Sequence, residues 1–270
     1  MQKYEKIGLI AGRGSFPFLF IEEARKAGVK GIHVVALYGD TSEEITEVAD
    51  SVDWVYVGQI RKTIKAFKKH GVEHVALCGQ VKPGRLFKGM KPDLKAMFIL
   101  AKLKERNAES LFGAVCDEFS KNGITVMSSV LYLQEHLATE GVMNKVKLNR
   151  ARKNDYEFGK KIAKDVSRLD IGQSVVVKRG TVLAVEGFEG TDKCIKRGGL
   201  LGRGGVTVVK VSKPNQDMRI DVPCIGMRTV ESLKEAGALT LAVEVGKTLF
   251  IDKEDVLKAC DDLKICVVGI

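Results

Sequence analysis

The 270-residue chain predicts an α/β fold of two domains: a Rossmann-like parallel-sheet domain over 1–133, a linker over 134–149 and a mixed α+β domain over 150–270. Three observations lead there. In the first half, short β-branched runs alternate with helix-length segments, the rhythm of a parallel sheet with helices on its faces. In the second half, apolar runs come in pairs rather than in strict alternation. Between the halves the apolar pattern fades into a polar, basic stretch, HLATEGVMNKVKLNR.

Taken in order, strands are expected at 7–11, 32–37, 54–57, 74–78 and 124–127, with helices at 18–27 and 60–69. Two more segments of helical period, 93–104 and 108–121, stand between the fourth and fifth strands. After the linker a helix is expected at 155–169. The runs 174–177 and 182–185, separated by Lys178-Arg179-Gly180, carry a hairpin signal. Strands at 206–211, 220–222, 241–243 and 248–251 follow, with helices at 229–235 and 253–260. The glycine-dense piece from Arg197 to Gly205 reads as a mobile loop.

A hydrophobic content of 45% with only 5 prolines supplies enough apolar mass for a folded core. The net charge of +10 suits phosphate-bearing ligands, nucleic acid or an anionic membrane surface without choosing among them. Six cysteines form no CxxC pair, which disfavours zinc and fits buried thiols in a reducing cytoplasm. The first residues, MQKYEKIGLIAG, have no leader-like apolar region, and the longest apolar candidate, 97–101, is cut by Lys95 and Lys102. Membrane contact is therefore expected to be peripheral.

Directly after the first strand, Gly12-Arg13-Gly14-Ser15-Phe16-Pro17 has the form of a phosphate cradle feeding a helix, or of a turn that needs glycine for geometry alone. The third glycine of the dinucleotide fingerprint is missing and no acid ends the second strand, which disfavours a nicotinamide or flavin. In an open α/β sheet, ligands collect beyond the carboxyl ends of strands, so Gly79, Gln80, Val81, Lys82 and Arg85 after the fourth strand are expected on the same rim. Leu86, Phe87 and Met90, interleaved with Lys88 and Lys91, read as a contact for a greasy anionic surface or as a solvated basic loop.

The densest polar grouping lies in the second half. Glu186, Glu189, Thr191 and Asp192 follow one apolar run; Lys213, Gln216, Asp217, Arg219 and Asp221 follow another. Hard carboxylate oxygens suit Mg²⁺ or Mn²⁺, while Lys213 and Arg219 would neutralise phosphate. On an extended strand Asp217, Arg219 and Asp221 would share one face, which is also what a solvent-facing row on an amphipathic strand looks like. The four histidines are scattered in sequence, and Ser128-Ser129 has no GxSxG elbow, so acyl-serine chemistry is not indicated.

Five strings, IAGRGSFP, RLDIGQSVVV, VLAVEGFEGTD, KPNQDMRIDVPCIG and the closing ICVVGI, together resemble the UDP-2,3-diacylglucosamine pyrophosphatases of lipid A biosynthesis, the class unrelated to calcineurin-like phosphoesterases. They run in the expected order over nearly the whole chain. The resemblance implies a two-domain enzyme with substrate between its domains, hydrolysing a diphosphate with a divalent cation to UMP and 2,3-diacylglucosamine 1-phosphate by attack on the phosphorus nearer the sugar. It places Asp221 at the heart of catalysis; Asp217, at a position where the family does not always carry an aspartate, is the second candidate metal-facing carboxylate. Gly12, Ser15, Phe16, Gly79 to Val81, Gln173, Thr191 and Lys213 become candidates for gripping diphosphate, uridine or sugar. Phe87, Met90, Met97 and Phe98 are placed either at two acyl chains or, for the helix residues, in core packing. The partners implied are a lipid-linked nucleotide sugar and the inner membrane surface, with a homodimer compatible and no nucleic acid. Two rivals stand beside this reading: a hydrolase of soluble nucleotide-diphosphate sugars, and a non-catalytic basic module for phosphate or nucleic acid.

Overall fold

The structure, a computed structural model, describes residues 4–81, 91–103, 108–214 and 216–270. The chain divides into two compact units. One comprises Met1–Tyr132 with Met218–Ile220; the other comprises Leu133–Asp217 with Asp221–Ile270.

The first unit is built on five parallel strands in the order β3-β2-β1-β4-β5: β1 (Lys6–Ala11), β2 (Gly31–Leu37), β3 (Ser51–Val55), β4 (His74–Cys78) and β5 (Thr125–Val126). Helices α1 (Phe16–Lys26), α2 (Ile45–Val48), α3 (Ile60–Lys69), α4 (Leu94–Lys102) and α5 (Ala108–Lys121) connect or flank them. In α3 the buried Thr63, Ile64, Ala66 and Phe67 recur at helical spacing and the lysines lie outside, so the helix turns its apolar stripe onto the sheet. Phe67 and Phe119 from α3 and α5 cover Val35, Leu37, Val55 and Val75. Asp93 caps α4 by accepting the Ala96 N–H at 2.9 Å. The expected parallel sheet is therefore observed.

The second unit centres on a six-stranded mixed sheet, β6-β13-β11-β9-β7-β8: β6 (Gly141–Val142), β7 (Ser174–Lys178), β8 (Thr181–Val185), β9 (Val206–Lys210), β11 (Ala238–Val243) and β13 (Cys266–Gly269). β9, β11 and β13 run parallel, while β7 is antiparallel to β8 and β9. A small parallel pair joins β10 (Cys224–Ile225) and β12 (Leu249–Phe250). Helix α6 (Arg150–Arg168) covers one face over Val175, Val177, Val209 and Val268; α7 (Thr191–Gly202), α8 (Met227–Glu235) and α9 (Lys253–Asp262) cover the other over Val176, Val208, Leu241 and Val267. Burial on both faces explains why these strands read as unbroken valine runs. The expected hairpin turns through Arg179 and Gly180, both at positive φ, with their N–H groups donated to Asp155.

Residues 134–149, expected as a linker, lie in this unit. Ala138 and Thr248 share a 2.8 Å main-chain bond, β6 pairs antiparallel with β13, and the Asn144 side chain accepts the Val267 N–H and donates to the Ile265 carbonyl. Leu137 and Ala138 are buried and Met143 and Leu148 pack against the core, but these anchors follow no helical or strand period, and main-chain bonds tie in the residues between them. The glycine-dense piece is not a mobile loop: Gly198, Gly199 and Gly202 belong to α7, and only Arg203, in the left-handed region, ends the helix. A methyl on Gly198 would lie 2.5 Å from Val176, and one on Gly199 would lie 2.3 Å from the Ala236 Cα, so these glycines serve close packing.

Gly199→Ala should therefore lower the urea midpoint by the equivalent of about 2 kcal/mol, because backbone must move to admit the methyl. Gly113→Ala, in α5 with open space around the new methyl, should raise it by roughly 0.5–1 kcal/mol. Equal effects of the two substitutions would refute the packing explanation.

Candidate functional site

In the first unit the strand order reverses between β1 and β4, and the loops leaving both strands meet there. The Gly12 N–H bonds the Cys78 carbonyl at 2.8 Å, and Arg13 and Gln80 exchange two main-chain bonds at 2.7 and 3.1 Å. A Cβ on Gly12 would sit 2.7 Å from the Gln80 carbonyl oxygen; one on Gly79, at φ +98°, would sit 2.8 Å from the Gly12 carbonyl carbon. Both glycines are thus required for the backbone clasp itself. Gly14 adopts φ +96° with open space around it and Ser15 is exposed with no side-chain cap bond, whereas Phe16 and Pro17, which open α1, are buried and Pro17 carries no N–H. Phe16 is only 7% exposed and belongs to the core, where it cannot stack on a ligand. Gln80 is exposed and Val81 packs inward. Lys82, Arg85, Leu86, Phe87, Lys88 and Met90 lie outside the described residues.

Met218–Ile220 completes the first unit. The Ser129 hydroxyl, 1% exposed, donates within reach of the Leu77 carbonyl (2.7 Å) and the Arg219 carbonyl (2.8 Å), and the Ser129 N–H bonds the Met218 carbonyl at 3.0 Å. Ser129 therefore anchors the Arg219 backbone rather than acting as a nucleophile. The Arg219 residue is exposed.

In the second unit the C-terminal ends of β8, β9, β11 and β13 and the start of β7 form one rim. Lys210 ends β9 there, only 6% exposed. Its ammonium donates to the Thr191 hydroxyl at 2.8 Å, and that hydroxyl donates to Glu186 at 2.9 Å. Thr191 occupies the first turn of α7, placed by Gly190 at φ +83°. An ammonium has three donors, and a single partner is provided for it among the described residues. Two buried acceptors of the same unit, Glu186 Oε2 and Gln173 Oε1, have no hydrogen-bond partner among the described residues. Burial pushes the Cys224 thiol up to about 12, with Lys210 opposing and the Asp221 carboxylate adding to the shift. Burial likewise pushes Cys194 up to about 12, against Arg197 and Lys210 and with Glu186 and Glu189. Lys210 is thus felt by thiols that also sense Glu186 and Asp221.

The segment expected as a strand at 220–222 is a turn instead. The Asp221 N–H bonds the Asp217 carbonyl at 3.0 Å, the Gln216 amide donates to the Asp221 carbonyl, and the Gln216 Oε1 accepts the Lys213 N–H at 2.9 Å. With the chain coiled, Asp217, Arg219 and Asp221 do not share one face of a strand. The glutamine is the reason: its side chain bonds the main chain on both sides, an alternative to a sheet ladder. Asp221 remains exposed, Asp217 is half-buried, and Lys213 pairs with Asp170.

Sequence reasoning missed the buried Lys210, along with a second polar network. Glu244 accepts from the Lys164 ammonium at 2.8 and 2.7 Å and from the Ser212 N–H and hydroxyl at 2.7 Å each. Burial alone would raise the Glu244 carboxyl; Lys164 and Ser212 overcome it and hold the group below the ordinary carboxylate range. The signal available was a lysine closing the apolar run VTVVK and a glutamate closing ALTLAVE. His33 and His70, far apart in sequence, stack at 4.3 Å and flank the Ser51 hydroxyl, at 2.8 and 3.4 Å.

Among the described residues no three His, Cys, Asp or Glu side chains converge as a metal cage. Mg²⁺ commonly uses one or two carboxylates and takes the rest of its shell from substrate phosphate and water. The exposed Asp221 carboxylate with Asp217, and the orphaned oxygen of Glu186, fit that donor chemistry.

Because its folded-state carboxyl is depressed, Glu244 contributes stability that is fully present above the unfolded value near 4.3 and is lost as pH falls through the folded value. Glu244→Gln should cost roughly 2 kcal/mol at pH 7 in urea titrations, and the gap from wild type should shrink as pH is lowered from 5 to 3. A gap unchanged by pH would contradict the ionic account.

Comparison with known proteins supplies the family. Residues 6–136 match the LpxI N-terminal domain and residues 139–268 the LpxI C-terminal domain. The UDP-2,3-diacylglucosamine pyrophosphatase LpxI of Caulobacter vibrioides is 32% identical over 280 residues, covering 98% of this chain and 97% of that protein. A solved biotin carboxylase domain of the Hydrogenobacter thermophilus 2-oxoglutarate carboxylase aligns at 14% identity over 67% of this chain and 36% of that one, with a TM-score of 0.28, a likeness too low to carry an argument. Matched in both domains and along nearly its full length, the chain belongs to the LpxI family and is a hydrolase of a diphosphate bond.

Proposed function

We propose that this chain hydrolyses the diphosphate of UDP-2,3-diacylglucosamine to UMP and 2,3-diacylglucosamine 1-phosphate, a step of lipid A biosynthesis. The observation that carries the reading is the full-length match to a relative named for that substrate. The under-satisfied rim around Lys210 supports it independently, since a diphosphate supplies the acceptors that a buried ammonium lacks.

The substrate is a polyanion, so the first requirement is charge neutralisation. Lys210 is already desolvated and oriented by Thr191, and offers its remaining donors with little reorganisation. Lys213, in the same unit and paired with Asp170, lies three residues on in the chain. Asp221 holds the carboxylate that orients a water for in-line attack, with the Gln216 bond to its carbonyl and its own N–H bond to Asp217 restricting the turn. A divalent cation bound by Asp221 and Asp217 would screen phosphate oxygens and lower the pKa of a bound water. Gly14 and Ser15, exposed just before α1, offer a second contact for an anionic group in the first unit.

Asp221→Asn should lower kcat by on the order of 10²- to 10⁴-fold while leaving the urea midpoint nearly unchanged, because the side chain is exposed. Near-normal turnover would remove Asp221 from the mechanism. Hydrolysis in ¹⁸O water should label the sugar phosphate; label in UMP would contradict attack on the phosphorus nearer the sugar. Chelation should abolish turnover and added Mg²⁺ or Mn²⁺ restore it, whereas undiminished turnover in excess chelator would exclude the cation. Equal kcat/KM for UDP-N-acetylglucosamine would favour the soluble-sugar reading instead.

A further inference from the structure

Helix α4 does not obey the rule for a surface helix. Its inward face is apolar, with Ala96 and Ile99 buried, but its outward face is apolar too: Leu94, Met97 and Phe98 are 80%, 55% and 60% exposed, and Ala101 is exposed as well. Positions 94, 97, 98 and 101 follow the i, i+3, i+4, i+7 spacing of a complete stripe. Met97 and Phe98 therefore do not pack into the core. Scattered exposed apolar residues need no explanation, whereas a contiguous stripe marks a surface with an occupant.

The cations around the stripe indicate which occupant. Lys91 and Lys102 are exposed at the two ends of the helix, and the Lys102 ammonium lies 4.1 Å from the centroid of the Phe98 ring. Lys95 turns inward to Glu118. The only acid within 91–103 is Asp93, already engaged as the N-cap and by the Arg61 N–H. Among the described residues, an apolar stripe framed by lysines, with Asp93 engaged as the cap and Glu118 paired to Lys95, is complementary to an anionic lipid interface, in which the apolar side chains enter the acyl boundary and the ammonium groups meet headgroup phosphates. Among the described residues no helix is long and apolar enough to cross a membrane. We infer that the outward face of α4, through Leu94, Met97 and Phe98 with Lys91 and Lys102, docks the protein on an anionic lipid bilayer surface. This rests on the proposed lipid-linked substrate, which such docking would bring within reach.

The test is sedimentation of the full chain with phosphatidylglycerol–phosphatidylethanolamine vesicles, compared with phosphatidylcholine vesicles, alongside hydrolysis of detergent-dispersed substrate. Wild type should pellet with the anionic vesicles alone. Leu94→Gln/Met97→Gln/Phe98→Gln should weaken that partition on the order of tenfold, and Lys91→Gln/Lys102→Gln should weaken it and flatten its salt dependence without changing hydrolysis in detergent by more than about twofold. A Phe98→Trp protein, with Trp54 as the constant background, should shift its emission to the blue on vesicle addition. Wild-type partition by the triple variant would overturn the inference. So would loss of detergent hydrolysis with vesicle binding intact, which would assign the stripe to the substrate's acyl chains, or a blue shift that grows with protein concentration without vesicles, which would assign it to a second copy. Vesicle binding that responds to these substitutions in a protein inactive on the substrate would leave the docking surface standing and refute the proposed reaction instead.

Discussion

A lysine ammonium withdrawn from water must be compensated, and at Lys210 the compensation is incomplete. One of its donors meets Thr191, whose hydroxyl leans on Glu186, while the second oxygen of Glu186 and the amide oxygen of Gln173 lack hydrogen-bond partners among the described residues. Such an arrangement costs folding stability unless a ligand or ordered water completes it. The rest of the second unit maintains that tension. Valines on both sheet faces exclude water, Gly190 brings Thr191 onto the rim, and Glu244 is satisfied by Lys164 and Ser212.

The first unit reaches an anion-compatible surface by different means. Its strand order brings the ends of β1 and β4 together, and two glycines permit their loops to bond backbone to backbone. Part of the glycine signal that resembles a phosphate cradle is thus spent on loop geometry. What faces outward is Arg13, Gly14 and Ser15.

How much of this the sequence disclosed depends on what held each element. Strands and helices whose stability comes from apolar burial, such as β1, α3 and the valine runs of β7 and β9, were legible because burial writes a period into the chain. Elements held by main-chain or side-chain-to-main-chain bonds left no period. Thus residues 134–149, with β6 and the Asn144 bonds, read as a linker, and the Gln216-braced turn read as a strand. The α7 glycines read as a loop because composition does not distinguish flexibility from close approach. Of the residues in the proposed site, Asp221, Thr191, Gln173 and Lys213 came from resemblance and loop chemistry, while Lys210 was hidden because a residue ending a strand looks like a solvent-facing charge until its burial is known.

The central claim, that Lys210 is held partly unsatisfied in order to receive a phosphate, is tested most directly by calorimetric titration of UMP in the presence of Mg²⁺ against wild type and Lys210→Met. Methionine keeps much of the apolar stem and removes the charge. The account predicts binding weakened by at least about tenfold, with the loss attributable to the missing charge-assisted bonds. Equal affinity in the two folded proteins would contradict it.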